Sequence, residues 1–171
     1  ISVSTPAGWA VASNSPQSEA TDVTRMTVLW KRAGASETAP TTTDSGDHQV
    51  CRIVGVRGAV TTGDPFNVTA GSTDATSSTS ATVPGATTTV LNTLVLAAVG
   101  VTRDASSTTN FANVGGAGGW TNANLTSLTE RIDNTVTAGL GGGIGVVSGA
   151  KSAASAIGNT TVTLAVAGRK T

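Results

Sequence analysis

Apolar and polar residues alternate along most of this chain with a period of two, which is the pattern of β-strands. Helical spacing occurs only at 124–133, where Leu125, Leu128 and Ile132 recur at helical intervals. The Thr content of that stretch also fits a strand, and a strand is the element that we expect there. The pattern predicts strands at 9–12, 24–31, 48–57, 80–83, 90–101, 124–133, 144–147 and 160–166.

Clusters of Gly, Pro, Asn, Asp and Ser separate these segments and mark turns. A parallel sheet would need crossover helices, and the pattern contains none. We therefore predict an all-β fold, an antiparallel β-sandwich of jelly-roll or immunoglobulin-like type with about eight strands. No shift in composition marks a domain boundary, so residues 1–171 are expected to form a single β-sandwich domain.

Two segments carry apolar residues on both faces, 48–57 and 90–101. This is typical of central strands in a covered sheet. The Ser- and Thr-rich stretch 73–82 is of low complexity, and it predicts a long exposed loop that leads into an edge strand. Trp30 lies on the apolar face of segment 24–31 and is expected in the core.

Composition narrows the classes of function. The 171 residues include about thirty Thr, seventeen Ser and 21 Gly, with ten cationic and ten acidic side chains. Without a basic excess, binding of nucleic acid through charge is not expected. A single Cys excludes a disulfide framework, and no apolar run approaches the roughly 18 residues of a membrane helix. Zero net charge favours a protein that works inside an assembly.

Residues that could support catalysis are few. His48 stands beside Asp47 and close to Ser45, but the strained Gly-x-Ser-x-Gly turn of many serine hydrolases is missing. A local turn, with Asp47 bonded to nearby backbone, is the simpler interpretation. The sequence still allows a hydrolase that uses Asp47, His48 and another acid, and this is the least favoured hypothesis.

Other chemistry is equally poorly supported. Acid pairs such as Glu130 with Asp133 lack a cleft lined by aromatic rings. The Gly-rich run 139–145 does not have the spacing of a phosphate-binding loop, and glycines before a strand more often mark a bend or a close backbone approach. We expect no catalytic residue, no cofactor, no metal site and no enzymatic activity.

Trp120 follows the Gly-rich loop 115–119 and is open to two interpretations. It is the best candidate for an exposed ring that recognises a ligand, such as a glycan on a host surface. It also fits a core anchor, which is the simpler interpretation.

Several strings of the sequence resemble a group of bacteriophage and prophage proteins that look like structural components of the virion. They are Thr5-Pro6-Ala7-Gly8-Trp9, Thr27-Val28-Leu29-Trp30-Lys31-Arg32-Ala33, Asp44-Ser45-Gly46-Asp47-His48-Gln49, Asp64-Pro65-Phe66-Asn67-Val68-Thr69-Ala70-Gly71, the stretch 119–127 and the Gly-rich run 139–145.

The resemblance implies a non-enzymatic virion protein, either a capsid decoration or a tail or fibre unit, whose partners are other virion proteins and copies of itself. It also implies an apolar β segment ahead of Pro6 and another after the last predicted strand, and in this sequence we expect both to be missing or truncated. An incomplete sandwich exposes an edge that recruits strands from neighbours. We expect such edges to be completed by another chain or by segments outside this sequence.

Overall fold

The computed structural model describes residues 2–20, 24–43, 49–102, 111–137 and 141–171. Within these ranges the chain is all-β, with no helix, and its ladders are antiparallel, which confirms the predicted fold class. The strands are β1 (Ala10–Val11), β2 (Gln17–Glu19), β3 (Thr24–Met26), β4 (Leu29–Trp30), β5 (Asp74–Val83), β6 (Thr93–Thr102), β7 (Thr126–Val136), β8 (Gly142–Lys151) and β9 (Thr160–Lys170).

A five-stranded sheet in the order β5-β9-β6-β8-β7 forms the body of the fold, and the pairs β1-β4 and β2-β3 form two small sheets. β9 pairs with β6 only near its end, where Val101 faces Lys170 and Thr102 faces Arg169. Earlier along β9, Thr161 forms an isolated bridge with Thr121. β6 is therefore joined to β9 at one corner, and the segment 111–121 borders the rest of β9.

One hydrophobic core joins the strand pair β5-β9 to the strand pair β6-β8. β5 and β9 supply part of it, β6 and β8 another part, and the segment 111–121 adds two rings. Its buried members are Ala81, Ala97, Val99, Val101, Phe111, Trp120, Val147, Val162 and Leu164. Side chains from separate ladders meeting around one core are compatible with a β-sandwich.

Phe111 and Trp120 are the two aromatic residues of this core. Their rings stack with centroids 5.7 Å apart and planes 20° from parallel, and only 3% and 1% of the two residues is exposed. The Phe111 ring lies directly over the backbone of Gly145, where a Cβ atom would sit 2.8 Å from the ring. The glycine at 145 therefore leaves room for the stacked pair.

At the start of β8, the absence of a side chain on glycine likewise leaves room for a neighbouring group. Gly142 adopts a φ of +126°, and a Cβ there would overlap the carbonyl of Val101 on the neighbouring strand. The described glycines of the run 139–145 thus allow close backbone approach, as the simpler interpretation of the sequence predicted.

The prediction of a central strand at 48–57 is wrong for the described part of that segment. Residues 49–57 form no strand, and most of their side chains are exposed. The alternating pattern indicated a capacity for β structure, but no described strand of this chain pairs with the segment.

Two other expectations need correction. The low-complexity stretch 73–82 is almost entirely strand, because β5 starts at Asp74 and pairs with β9. The predicted strand 90–101 begins later, at Thr93, and one of its faces is exposed, with Leu94 at 52% and Leu96 at 42%.

The predicted strand 24–31 is divided into β3 and β4. Between them, the N–H of Val28 donates to the Ser15 hydroxyl at 2.7 Å, and the Val28 carbonyl accepts from Ala12. On either side of these bonds the strands have different partners, since β3 pairs with β2 and β4 pairs with β1. Trp30 is half-buried rather than fully in the core, and it packs edge-on against Phe66.

Gly145→Ala is expected to lower the free energy of unfolding by about 1–3 kcal/mol, because the added methyl group forces the Phe111 ring to move. Chemical denaturation followed by Trp fluorescence measures this change. Gly55→Ala is the matched control, since nothing lies within 4 Å of a Cβ at that position. An equal loss in both variants would show that the stacked pair does not depend on Gly145.

Candidate assembly surface

Residues 50–62 form an exposed apolar segment, which we call the apolar loop. Its large apolar side chains are exposed by 38% at Val50, 63% at Ile53, 44% at Val56 and 59% at Val60. Within the described part of the chain, the loop makes no backbone-to-backbone hydrogen bond with another segment. A clustered set of exposed aliphatic side chains is typical of surfaces that another molecule covers.

Both ends of the apolar loop are fastened. On one side, the Gln49 amide accepts from the Thr42 hydroxyl and donates to the carbonyl of Thr43, each at 3.0 Å. On the other side, the Arg32 guanidinium donates to the carbonyl of Gly63 at 2.7 Å. Side-chain hydrogen bonds therefore connect one end of the loop to residues 42–43 and the other end to Arg32.

The chain that follows the loop is also anchored. Asn67 donates to the Thr89 hydroxyl at 2.7 Å and accepts the Thr89 N–H at 2.8 Å. Two residues later, the Asn14 amide donates to the carbonyl of Thr69 at 2.9 Å. Side-chain bonds between distant segments thus give the apolar loop a defined base.

A second apolar surface, the outer patch, lies around the start of β6. It consists of Val90, Leu91, Leu94 and Leu96, which are exposed by 49%, 66%, 52% and 42%. An open cavity of about 300 Å³ beside it is lined by Leu94, Thr126, Ala150, Lys151 and others. The cavity is open to solvent, and Leu94 and Ala150 are the apolar residues in a lining that is otherwise polar.

The two edges of the main sheet differ in protection. β7 carries Glu130, Arg131 and Asp133 and has two shifts of register, and charges and bulges hinder pairing at an edge. β5 also has two shifts of register, between Asp74 and Ser78 and between Ser78 and Ser80, but it carries a single charged residue, Asp74. The β5 edge is therefore less protected by charge than the β7 edge.

The residues considered for a hydrolase, Ser45, Asp47 and His48, lie outside the described residues. Cys51 is described and is an exposed free thiol. Across the described ranges, no group of three or more His, Cys, Asp or Glu side chains is placed to hold a metal ion.

Trp120 was the candidate recognition residue, and the structure corrects the interpretation of an exposed ring. Only 1% of the residue is exposed, and its ring stacks on Phe111 inside the core. The alternative interpretation, a core anchor, describes its position. The preceding Gly-rich loop turns back through hydrogen bonds from Gly116 to Asn113 and from Gly119 to Gly116, which carries the ring inward.

The acids Glu130 and Asp133 are brought together on β7. Asp133 accepts the N–H of Phe111 at 3.4 Å, and Glu130 accepts the N–H of Val114. Burial, and then the charge of Asp133, raise the pKa of Glu130, and burial raises the pKa of Asp133. The pair holds the segment that presents Phe111 to the core, which is a structural role that the sequence did not indicate.

Lys170 is a second charged group with a structural role, which the sequence analysis missed. It is 5% exposed, and its ammonium donates to Asp74 Oδ2 at 3.2 Å, to the Thr76 carbonyl at 2.9 Å and to the Ser78 hydroxyl at 2.6 Å. These bonds fasten the end of β9 to the irregular first half of β5. A Lys at the end of an alternating strand gave no signal of this contact.

Comparison of the chain with models of protein families, with curated proteins and with solved structures finds no match. Among the described residues, no helix has the length and apolar character needed to cross a membrane. The surfaces that remain for a functional interpretation are the apolar loop, the outer patch and the β5 edge.

Glu130→Gln is expected to stabilise the protein at neutral pH. Because the pKa of Glu130 is raised on folding, its ionised form opposes folding. That cost is absent below the unfolded pKa and grows as pH rises through the folded pKa. The variant should therefore have a higher Tm than the native chain at pH 7 and an equal Tm near pH 3. A lower Tm at pH 7 would contradict this assignment.

Asp74→Asn is expected to have the opposite effect. The N–H of Thr76 and the ammonium of Lys170 lower the pKa of Asp74, so its charged form supports folding above the unfolded pKa. The variant should melt below the native chain at pH 7, and the difference should shrink as pH falls through the folded pKa. Thermal melts from pH 2 to pH 8 measure both variants, and a difference that is constant with pH would exclude the electrostatic explanation.

Proposed function

We propose that this protein is a non-enzymatic structural component of a phage particle, a capsid decoration or a tail or fibre unit, that acts by packing and oligomerisation. The apolar loop carries the proposal. It exposes four large aliphatic side chains on a base that is fixed by side-chain hydrogen bonds. A surface of this kind is suited to burial against a neighbouring subunit.

Two further observations support assembly as the activity. The outer patch adds four exposed aliphatic side chains at the start of β6. Ten acidic and ten cationic side chains give a net charge of zero, so identical copies do not repel one another at long range. The assignment to a phage particle rests on the resemblance of the sequence to phage structural proteins.

The alternative of a glycan-binding module has no specific support. Its recognition residue was Trp120, which is buried and therefore cannot stack on a sugar. The open cavity beside the outer patch has no aromatic side chain in its lining.

Antibody raised against the full chain is expected to label particles that contain it. In immunogold electron microscopy of purified particles from the phage or prophage that encodes the chain, gold should appear at one constant position, on the head, tail or fibre. Particles of an unrelated phage are the control. Absence of the chain from purified particles, checked by mass spectrometry, would contradict the proposal.

Val56→Ser is expected to weaken self-association about tenfold or more, because an apolar side chain buried between copies contributes on the order of 1–2 kcal/mol. Sedimentation velocity over a range of concentrations measures the effect. Val11→Ser is a matched control, since Val11 is 42% exposed and Val56 is 44% exposed. Equal weakening in both variants would show that the apolar loop has no special role.

A further inference from the structure

Lys151, the last residue of β8, is a buried cation that has no counter-ion in the described part of the chain. Of the other two Lys residues, Lys31 pairs with Glu37 and Lys170 pairs with Asp74. Lys151 is 8% exposed, yet no ion pair or hydrogen bond holds its side chain among the residues that the structure describes. Lys is almost never buried to this extent without a partner. An anion supplied from outside the chain accounts for its position.

A buried hydroxyl lies beside this cation. Thr93, at the start of β6, is directly opposite Lys151 in the β6-β8 ladder, so the two side chains are on the same face of the sheet. The Thr93 hydroxyl is buried and has no hydrogen-bond partner in the described chain. Such a hydroxyl costs free energy unless a bound group completes its hydrogen bonding. A cation and a hydroxyl thus both lack an acceptor at one end of the ladder.

Both residues line the open cavity beside the outer patch. The cavity lies at the end of the ladder, where the Asn92 N–H donates to the Ser152 carbonyl at 3.1 Å. Leu94 and Ala150 give it an apolar wall, and its lining contains no acid. Its volume is about 300 Å³, and one water molecule needs only roughly 10–15 Å³. There is room for a small organic anion.

We propose that this cavity binds a carboxylate that carries a short aliphatic chain. The carboxylate accepts hydrogen bonds from the Lys151 ammonium and the Thr93 hydroxyl, and the aliphatic chain packs against Leu94 and Ala150. One cation matches the single charge of a carboxylate, whereas a phosphate monoester carries about −1.5 to −2 at neutral pH. The site goes beyond the proposed structural function and does not depend on it.

Two sources supply this chemistry, a free aliphatic acid and the terminal carboxylate of a peptide. Titrations followed by NMR of the Leu94, Ala150 and Thr93 methyl groups test both. Hexanoate represents the first source and acetyl-Leu-Leu the second, and the tighter of the two identifies the source. The uncharged controls, 1-hexanol and the amidated peptide, should bind about tenfold more weakly than the matching carboxylate.

No saturable shift of these methyl signals with either carboxylate up to about 50 mM would overturn the inference. Equal binding of each carboxylate and its uncharged control would overturn it as well, because the ammonium would then take no part in recognition.

Lys151→Met removes the charge and keeps an apolar stem of similar length. It should weaken hexanoate binding about tenfold, and Thr93→Val, which removes only the hydroxyl, should weaken it about threefold. Lys31→Met is the matched control, because it removes the same charge from a residue outside the cavity lining and should leave the affinity unchanged. Equal weakening by Lys151→Met and Lys31→Met would refute a specific site.

Thermal melts distinguish a cation that awaits a ligand from one with a structural role. An unpaired buried charge opposes folding, so Lys151→Met should raise the Tm of the ligand-free chain. Hexanoate should raise the Tm of the native chain but not that of the variant. A lower Tm of the ligand-free variant would show that the chain itself pairs the ammonium, and would overturn the inference. Particle labelling tests the proposed function separately, so the two can fail independently.

Discussion

The stack of Phe111 on Trp120 is the contact on which the closed core depends. The chain has two Phe, three Trp and no Tyr, and its strands are rich in Thr, Ala and Gly. Small side chains alone leave space between sheets that pack about 10 Å apart. Two large rings fill that space, and both come from the segment 111–121 rather than from a strand of the main sheet. Gly145 on β8 and the acids of β7 then set the position of the rings.

Much of the sheet was predictable because alternation and turn residues agree there. β9 falls where apolar residues repeat at every second position, and Val162 and Leu164 are buried in the core. β6 and β8 fall in apolar stretches bounded by turn residues. β5 was underestimated, since Ser and Thr on both of its faces give no alternation of hydropathy. Its strand state depends on β9 and on Lys170, which are remote in sequence.

The site was harder to predict than the sheet. Segment 48–57 carries apolar residues on both faces, yet its described residues form no strand and most of them are exposed. A local pattern reports what a segment favours, and it does not report whether a partner strand is present in the same chain. For Trp120, sequence position beside a Gly-rich loop suggested exposure, whereas the turns of that loop direct the ring inward. Contacts of this kind are set by tertiary structure.

The hydroxyl-rich composition of β5 has a consequence during synthesis. Asp74 and its partner Lys170 are 96 residues apart, so β5 leaves the ribosome long before β9 exists. A strand that waits unpaired is an aggregation hazard when it is apolar. Ser and Thr keep the waiting segment hydrated while they still permit the extended backbone that β9 later requires. The Ser and Thr residues that give β5 no alternation of hydropathy thus also reduce the risk of aggregation before β9 has been synthesised.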